Sequence, residues 1–171
     1  EPERQWITSR TRTVKADCAI VVIHTDEGPT GIGEASAYGW PLLIREWVDW
    51  LSPELVGRDP RDPTIVPHPN GLSRPHDAAV AGIDCALWDL EAKQKGTSVW
   101  DLTGIVPREV TSVMTVGIDT PERMADAARQ LDTDRIKVKL DGEQPLARIS
   151  AIRNARPDAE IIVDVNQGWT F

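Results

Sequence analysis

An apolar β-branched run, a turn and a second strand-like run predict a β-hairpin near the start of the chain. A β-branched run over 18–24 has the composition of a strand. Turn-forming residues follow over 25–28, and residues 30–35 complete the pattern as the return strand. Two antiparallel strands joined by a short turn are therefore expected at this position.

Apolar residues next recur at helical spacing, in two stretches separated by a proline-rich loop. The first stretch begins near Pro41 and is expected to end at Pro53, since proline cannot continue a helix. Residues 57–75 are rich in proline and are predicted to be loop. The second stretch has the strongest helical period in the chain, with Asp77 as a candidate N-cap and Gly96 as its end.

After Pro107 the pattern changes to strands that alternate with helices. Strands are predicted over 111–118, 135–140 and 160–165, with intervening helices that begin at Thr120-Pro121 and cover 144–155. This alternation predicts a parallel sheet with right-handed crossovers. The expected organisation is an α+β domain over residues 1–107 and an α/β domain over 108–171.

Composition narrows the classes of partner and setting. The chain has 171 residues and a net charge of −8, which argues against a nucleic-acid surface or an anionic-membrane surface. It has no apolar run of the roughly 20 residues that cross a bilayer. Its two cysteines are too few for a disulfide framework, so reduced thiols and a cytoplasmic setting are expected. The chain starts without Met and stops just after a strand, and we therefore expect it to be part of a longer protein.

Two lysines break the apolar run of the second strand of the predicted parallel sheet. Side chains alternate faces along a strand, so Lys137 and Lys139 share one face, opposite Ile136 and Val138. A parallel strand covered on both faces is normally apolar throughout. The lysines therefore indicate either a functional site or an edge strand with a solvated face.

Oxygen-bearing side chains occupy the carboxyl end of the next strand. Asp164 and Asn166 share a face there, and ligands gather at this end of parallel sheets. An Asp-x-Asn pair suits a hard cation such as Mg²⁺. The alternative is an aspartate that caps a following helix. Taken with the lysines, the pair predicts an amine base beside a metal-bound carboxylate, as needed to remove the proton next to a substrate carboxylate.

At this point the sequence resembles the enolase superfamily, in the branch of muconate lactonizing enzymes, dipeptide epimerases and N-acylamino acid racemases. Four segments carry the resemblance in order: the hairpin over 25–35, the helix over 81–96, Lys137-Val138-Lys139 and Asp164-Val165-Asn166-Gln167-Gly168-Trp169. The resemblance implies an α+β capping domain, here without its first strand. It also implies that the capping domain is followed by the first three strands of a TIM-type (β/α) barrel, truncated.

The resemblance also implies roles for individual residues. Lys139 is the general base and Lys137 supports it electrostatically. Asp164 is the first of three carboxylate ligands of Mg²⁺, with Asn166 near the metal, and Thr115 corresponds to a substrate-side position of dipeptide epimerases. The other two metal carboxylates and the opposing acid/base group belong to later strands of the family's barrel.

The implied function is that of an isomerase in the full-length protein. We expect a Mg²⁺-dependent racemase or epimerase that acts by 1,1-proton transfer on a small-molecule carboxylate, either a dipeptide or an N-acyl amino acid. The alternatives are an acid-sugar dehydratase or cycloisomerase of the same superfamily, and a non-catalytic binding or assembly protein. The resemblance further implies a homo-oligomer. The 171 residues alone are expected to bind Mg²⁺ poorly and to be inactive.

Two segments could form a lid over such a site. Arg10 and Arg12 would read a substrate carboxylate, since guanidinium groups bind carboxylates in a bidentate manner, or they would lie on a solvated strand. Tyr38 and Trp40 follow the hairpin and would either cover the site or pack on the helix after Pro41.

Overall fold

The computed structural model describes residues 6–13, 17–37, 40–62, 64–66 and 73–170. Close contacts divide them into two units, one formed by residues 6–13 with 109–170 and the other by residues 17–108. In chain order the elements are β1 (Trp6–Ile7), β2 (Arg12–Thr13), β3 (Ala19–His24), β4 (Thr30–Ala35), α1 (Pro41–Leu55), α2 (Arg74–Lys95), α3 (Val99–Thr103), β5 (Met114–Val116), α4 (Pro121–Arg129), β6 (Arg135–Lys139), α5 (Pro145–Ala155) and β7 (Glu160–Asp164). None of the helices in this described part of the chain has the length and apolarity that a membrane crossing requires.

The predicted hairpin is present as the antiparallel pair β3–β4, which packs against α2. The contact is unusually close, because a Cβ added to Gly31 would lie 2.0 Å from the carbonyl oxygen of Ala86. A Cβ added to Gly33 would lie 2.0 Å from the carbonyl oxygen of Gly82. The two glycines of β4 therefore allow the strand to touch the helix backbone.

Side chains of α2 also cover the free edge of β4. Asp89 accepts a hydrogen bond from the backbone N–H of Ile32 at 2.8 Å. Lys93 donates to the carbonyl oxygen of Thr30 at 3.1 Å and to Asp89 at 2.6 Å. These contacts occupy backbone groups that would otherwise be open to pairing with another strand.

Both long helices extend further than predicted. Pro53 does not end α1, which continues to Leu55. The missing N–H costs one hydrogen bond, but the backbone N–H of Val56 still bonds to the carbonyl oxygen of Ser52 and closes the last turn. The N-cap of α2 is Ser73 rather than Asp77, and its hydroxyl accepts from the backbone N–H of His76. Pro75 lies in the first turn, where its missing N–H leaves no helical bond unmade.

The second unit contains a parallel sheet in the order β5-β6-β7. One face packs against α4 and α5 through a buried core: Val116, Met124, Ala128, Ile136, Val138, Leu140, Ile152 and Ala159. β5 is shorter than the predicted strand over 111–118, since only residues 114–116 pair with β6. Fold class and the expected parallel sheet are thus confirmed.

The β1–β2 hairpin lies in the parallel-sheet unit. The sequence pattern places it instead in a single domain over residues 1–107. Ile118 donates its backbone N–H to the carbonyl oxygen of Ile7 at 2.9 Å. The Ser9 hydroxyl donates to the carbonyl oxygen of Val165 at 2.7 Å. The hairpin thus contacts chain segments that follow β5 and β7, at the carboxyl end of the sheet.

Arginine side chains fasten the opposite, amino end of this sheet. Arg156 donates to the carbonyl oxygens of Ala128, Leu131 and Thr133 at 3.0, 2.9 and 2.6 Å. Arg153 donates to the carbonyl oxygens of Pro157 and Ala159. These guanidinium groups bind carbonyl oxygens in loops and at a helix end, where backbone acceptors commonly lack helical partners.

Candidate active site

Two neighbouring strands bring an ammonium group and a carboxylate together on one face of the parallel sheet. Lys139 of β6 lies in register with Asp164 of β7. The Lys139 Nζ donates to Asp164 Oδ2 at 2.6 Å. Lys139 is only 8% exposed, so it does not lie on a solvated face. The two residues that the sequence analysis selected for base and metal chemistry are therefore in direct contact.

Lys137 and Thr115 occupy the preceding row of the same face. Lys137 lies in register with Thr115 of β5, and side chains paired in register point to the same side of a parallel sheet. The Lys137 Nζ lies 2.8 Å from Asp164 Oδ2. One carboxylate oxygen thus faces two ammonium groups, which leaves this three-residue cluster with one formal positive charge.

Asn166 completes the cluster from the turn after β7. Its Oδ1 accepts from Lys139 at 2.8 Å, and its backbone N–H donates to Asp164 Oδ1 at 2.8 Å. Asn166 and Gln167 have φ values of 47° and 63°, which are costly for residues other than glycine and recur at functional sites. Residues 165–170 form no helix, so Asp164 does not act as a helix cap.

The surroundings of Asp164 favour its ionised form. Hydrogen bonds from Lys137, then from Lys139 and the backbone N–H of Asn166, hold the pKa of the Asp164 carboxyl well below its usual range. Asp164 is therefore a carboxylate at neutral pH, which is the form a metal ligand requires.

Arg10 and Arg12 line a cleft of about 420 Å³ at the carboxyl end of the sheet. Its walls are the β1–β2 hairpin, the segments after β5 and β6, which contribute Asp119, Asp141 and Glu143, and Arg148 of α5. The Lys139–Asp164 cluster does not line this cleft. Of the second lid segment, Tyr38 lies outside the described residues. Trp40 is exposed and precedes α1 in the other unit.

Sequence reasoning missed Arg148, which is one of the buried charged residues of the chain. Its guanidinium group binds the segments after β5 and β6 together at the carboxyl end of the sheet. A sequence signal was available, because Arg148 lies four residues before Ile152 and therefore on the same face of the predicted helix. A charge on the apolar stripe of a helix marks a residue with buried partners.

The oxygen donors fit a hard cation in part. Asp164 Oδ2 and Asn166 Oδ1 both accept from Lys139 Nζ, which brings a carboxylate and an amide oxygen close together at a strand end, as in Mg²⁺ sites. Within the described ranges, however, no group of three or more His, Cys, Asp or Glu side chains is placed to hold a metal ion. Asp164 can therefore supply one ligand of a metal site but does not form the site alone.

Comparison with known proteins identifies the family. Residues 2–104 match the model of the mandelate racemase / muconate lactonizing enzyme N-terminal domain. An L-Ala-D/L-Glu epimerase of Escherichia coli is 46% identical over 92% of this chain and 50% of its own length. An N-acetyl-D-glutamate racemase of Pseudoalteromonas is 40% identical over 57% of this chain and 31% of its own.

Solved structures agree with this assignment. A substrate-liganded L-Ala-D/L-Glu epimerase of Bacillus subtilis has a TM-score of 0.86 at 26% identity over 97% of this chain and 50% of its own. A dipeptide epimerase of Enterococcus faecalis, complexed with Mg and the dipeptide L-Leu-L-Tyr, has a TM-score of 0.83 at 27% identity over 98% of this chain and 51% of its own. The chain spans about half the length of these relatives, apart from the racemase. The resemblance noted in the sequence is confirmed, and the chain belongs to the mandelate racemase / muconate lactonizing enzyme family of the enolase superfamily.

Proposed function

We propose that the complete protein carrying this chain is a Mg²⁺-dependent racemase or epimerase of a dipeptide or an N-acyl amino acid. The observation that carries the proposal is the 2.6 Å contact between Lys139 Nζ and Asp164 Oδ2 on one face of the sheet. A proton-transfer group and a candidate metal ligand are thus adjacent at the end of the sheet where ligands bind in this architecture.

Lys139 has the position of a group that, as the free amine, would remove the α-proton from its own face of the substrate and, as the ammonium ion, would deliver a proton to that face. Its side chain is almost fully buried, so water competes little for its Nζ once a substrate is bound. Lys137 supports it and, with Lys139, gives the cluster its positive charge. That charge favours a carboxylate substrate and the negative charge that develops when the α-proton leaves.

Asp164 would hold Mg²⁺ as one of its carboxylate ligands, with Asn166 beside it. A bound Mg²⁺ would supply Lewis-acid stabilisation of the substrate carboxylate. In the same proposal Thr115 lies on the substrate side, in register with Lys137. A 1,1-proton transfer also needs a second acid/base group. The family resemblance assigns that group to a part of the barrel that this chain does not span.

Arg10 and Arg12 are proposed to bind a carboxylate of the substrate. Both line the cleft, whose other walls carry the carboxylates of Asp119, Asp141 and Glu143. Within the part of the chain that the structure describes, neither arginine has a salt-bridge partner within 4.0 Å, whereas Arg148 is paired with Asp141. A cation without a protein counter-charge is available to a ligand.

Sequence identity to known proteins favours the epimerase over the alternative activities. The Escherichia coli epimerase is 46% identical to this chain. A cis-3-hydroxy-L-proline dehydratase of Roseibium aggregatum is 32% identical, and a D-galactarolactone cycloisomerase of Agrobacterium fabrum is 30% identical. A purely binding or assembly role is disfavoured because it would not require an aspartate facing two lysines.

Two further parts of the proposal concern the setting of the protein. Cys18 and Cys85 are both free thiols, which is compatible with a cytoplasmic protein. The complete protein is also proposed to form a homo-oligomer, as the family resemblance implies. Light scattering coupled to size-exclusion chromatography would test the second part.

The test of the activity uses the complete protein, a panel of dipeptides and N-acyl amino acids, and D₂O as solvent. We expect inversion of one substrate with deuterium appearing at its α-carbon, and loss of both signals after chelation with EDTA. Elimination of water from an acid sugar without epimerisation would favour the dehydratase. Absence of both turnover and α-proton exchange across the panel would contradict an enzyme of this kind.

A further inference from the structure

We propose that Arg148 is a positioning residue that fixes the ends of β5, β6 and β7 and so holds Lys139 and Asn166 in place. The inference rests on the proposed function, because it concerns the same proton-transfer site. Arg148 itself does not touch Lys139 or Asp164. It acts through the segments that follow the strands.

The Arg148 side chain is 10% exposed and binds three separate points of the chain. Its Nε donates to the carbonyl oxygen of Asp119, three residues after β5, at 2.9 Å. Its Nη1 donates to the carbonyl oxygen of Glu143 at 2.6 Å and to the Asp141 carboxylate. One guanidinium group therefore joins the segment after β5 to the segment after β6.

Asp141 extends this connection to β7. Its carbonyl oxygen accepts a hydrogen bond from Trp169 Nε1 at 2.9 Å. Asp141 comes two residues after Lys139, and Trp169 comes three residues after Asn166. A change at Arg148 would thus reach Lys139 through the two residues of backbone that link it to Asp141, and Asn166 through the three that link it to Trp169.

The geometry requires arginine. A guanidinium group presents several N–H donors in a fixed plane, whereas an ammonium group is a single compact charge. Lysine at this position would keep the charge but could not reach all three acceptors with one geometry. The substitution Arg148→Lys therefore loosens the connection but still leaves a cation near Asp141.

The residue that follows the last residue of α5 provides a matched control. Arg156, just after α5, donates to three carbonyl oxygens at the opposite end of the sheet, and its side chain is 22% exposed. Both arginines stabilise the fold by satisfying buried acceptors. Only Arg148 binds segments that lead to the candidate active site. Substitutions of Arg148 and Arg156 should therefore differ in their effect on activity and not merely on stability.

The experiment compares Arg148→Lys and Arg156→Lys in the complete protein. We expect Arg148→Lys to lower kcat by about 10- to 100-fold with little change in KM, because small displacements of a catalytic group cost this much. Arg156→Lys should leave kcat per folded molecule unchanged at a similar loss of thermal stability. A structural role alone would move stability in both variants and kcat in neither.

A second readout does not depend on turnover. Brief acetylation of the folded protein, quantified by mass spectrometry, reports the accessibility of Lys139 relative to Lys137. This ratio should rise severalfold in Arg148→Lys and stay at the wild-type value in Arg156→Lys. Equal kcat and equal labelling ratios in the two variants would overturn the inference. If the wild-type protein turns over no substrate, the labelling ratio alone decides on Arg148, while the proposed function fails separately.

Discussion

The two ends of the parallel sheet use charged side chains in opposite ways. At the amino end, Arg153 and Arg156 meet neutral carbonyl oxygens. There Arg135 and Glu160 also form an exposed pair with 2.8 Å between Nε and Oε2. Arg153 and Arg156 thus bind mainly neutral acceptors, and Arg135 is paired with one opposite charge.

At the carboxyl end, the positive and negative charges of the cluster are unequal in number. Two ammonium groups, from Lys137 and Lys139, share one oxygen of Asp164. The turn after β7 holds Asn166 and Gln167 at positive φ. Such strain and imbalance reduce stability, which supports the proposal that this end is arranged for a ligand, whereas the contacts at the amino end stabilise the fold.

The largest expected effect comes from removing the candidate base. Lys139→Met in the complete protein should lower kcat for epimerisation by about 10²- to 10⁴-fold, the range typical of general acid–base groups. Exchange of the substrate α-proton in D₂O measures the effect directly. The control is Arg135→Met, on the same strand at the amino end, which should retain wild-type kcat. Equal loss in both variants would remove the distinction between the two ends.

The next effect concerns the shared carboxylate. Asp164→Asn leaves two lysines facing an uncharged amide, which should lower the free energy of unfolding by about 3 kcal/mol, near the low end for breaking a buried pair, since Asp164 is partly exposed. Urea unfolding of the complete protein in EDTA measures this loss. Titration calorimetry should also show weaker Mg²⁺ binding. Unchanged Mg²⁺ affinity would exclude Asp164 as a ligand.

A smaller effect is expected at the amino end. Arg156→Met removes hydrogen bonds to three carbonyl oxygens and should lower the free energy of unfolding by about 2 kcal/mol. Because Arg156 is remote from the lysines, kcat measured per folded molecule should not change. A fall in kcat would mean that the amino end also controls the site.

The smallest effect belongs to the exposed pair. A double-mutant cycle with Arg135→Gln and Glu160→Gln should give a coupling energy of about 0.5 kcal/mol, since both side chains are about half exposed. Raising the salt concentration should reduce it further. A coupling above about 2 kcal/mol would exceed the range known for surface pairs and would show that this end is not simply solvated.

The central pair of the site could be predicted from the sequence because it depends on local rules. The period of two along a strand places Lys137 and Lys139 on one face. Consecutive parallel strands then bring that face beside Asp164, and the structure shows the contact at 2.6 Å. Both rules need only the strand positions, which the apolar runs make plain.

Other features could not be predicted because they depend on contacts between distant segments. The β1–β2 hairpin joins the parallel-sheet unit through a hydrogen bond between Ile7 and Ile118 that no local pattern encodes. The partners of Arg148 lie on two different loops. The N-cap of α2 at Ser73 was not predicted because Pro75 follows it, and a proline indicates a loop unless the N-cap before it is recognised.

The glycine contact between β4 and α2 limits how this part of the molecule can change. With backbone resting on backbone, the hairpin and the helix have no adjustable side chains between Gly33 and Gly82 through which a mutation could be absorbed. A side chain added at either glycine would force the hairpin and the helix apart, so grafting this part into another protein would require moving both together. The outer face of the hairpin, where Ile20, Val22 and Ile32 are exposed, is free of this steric limit.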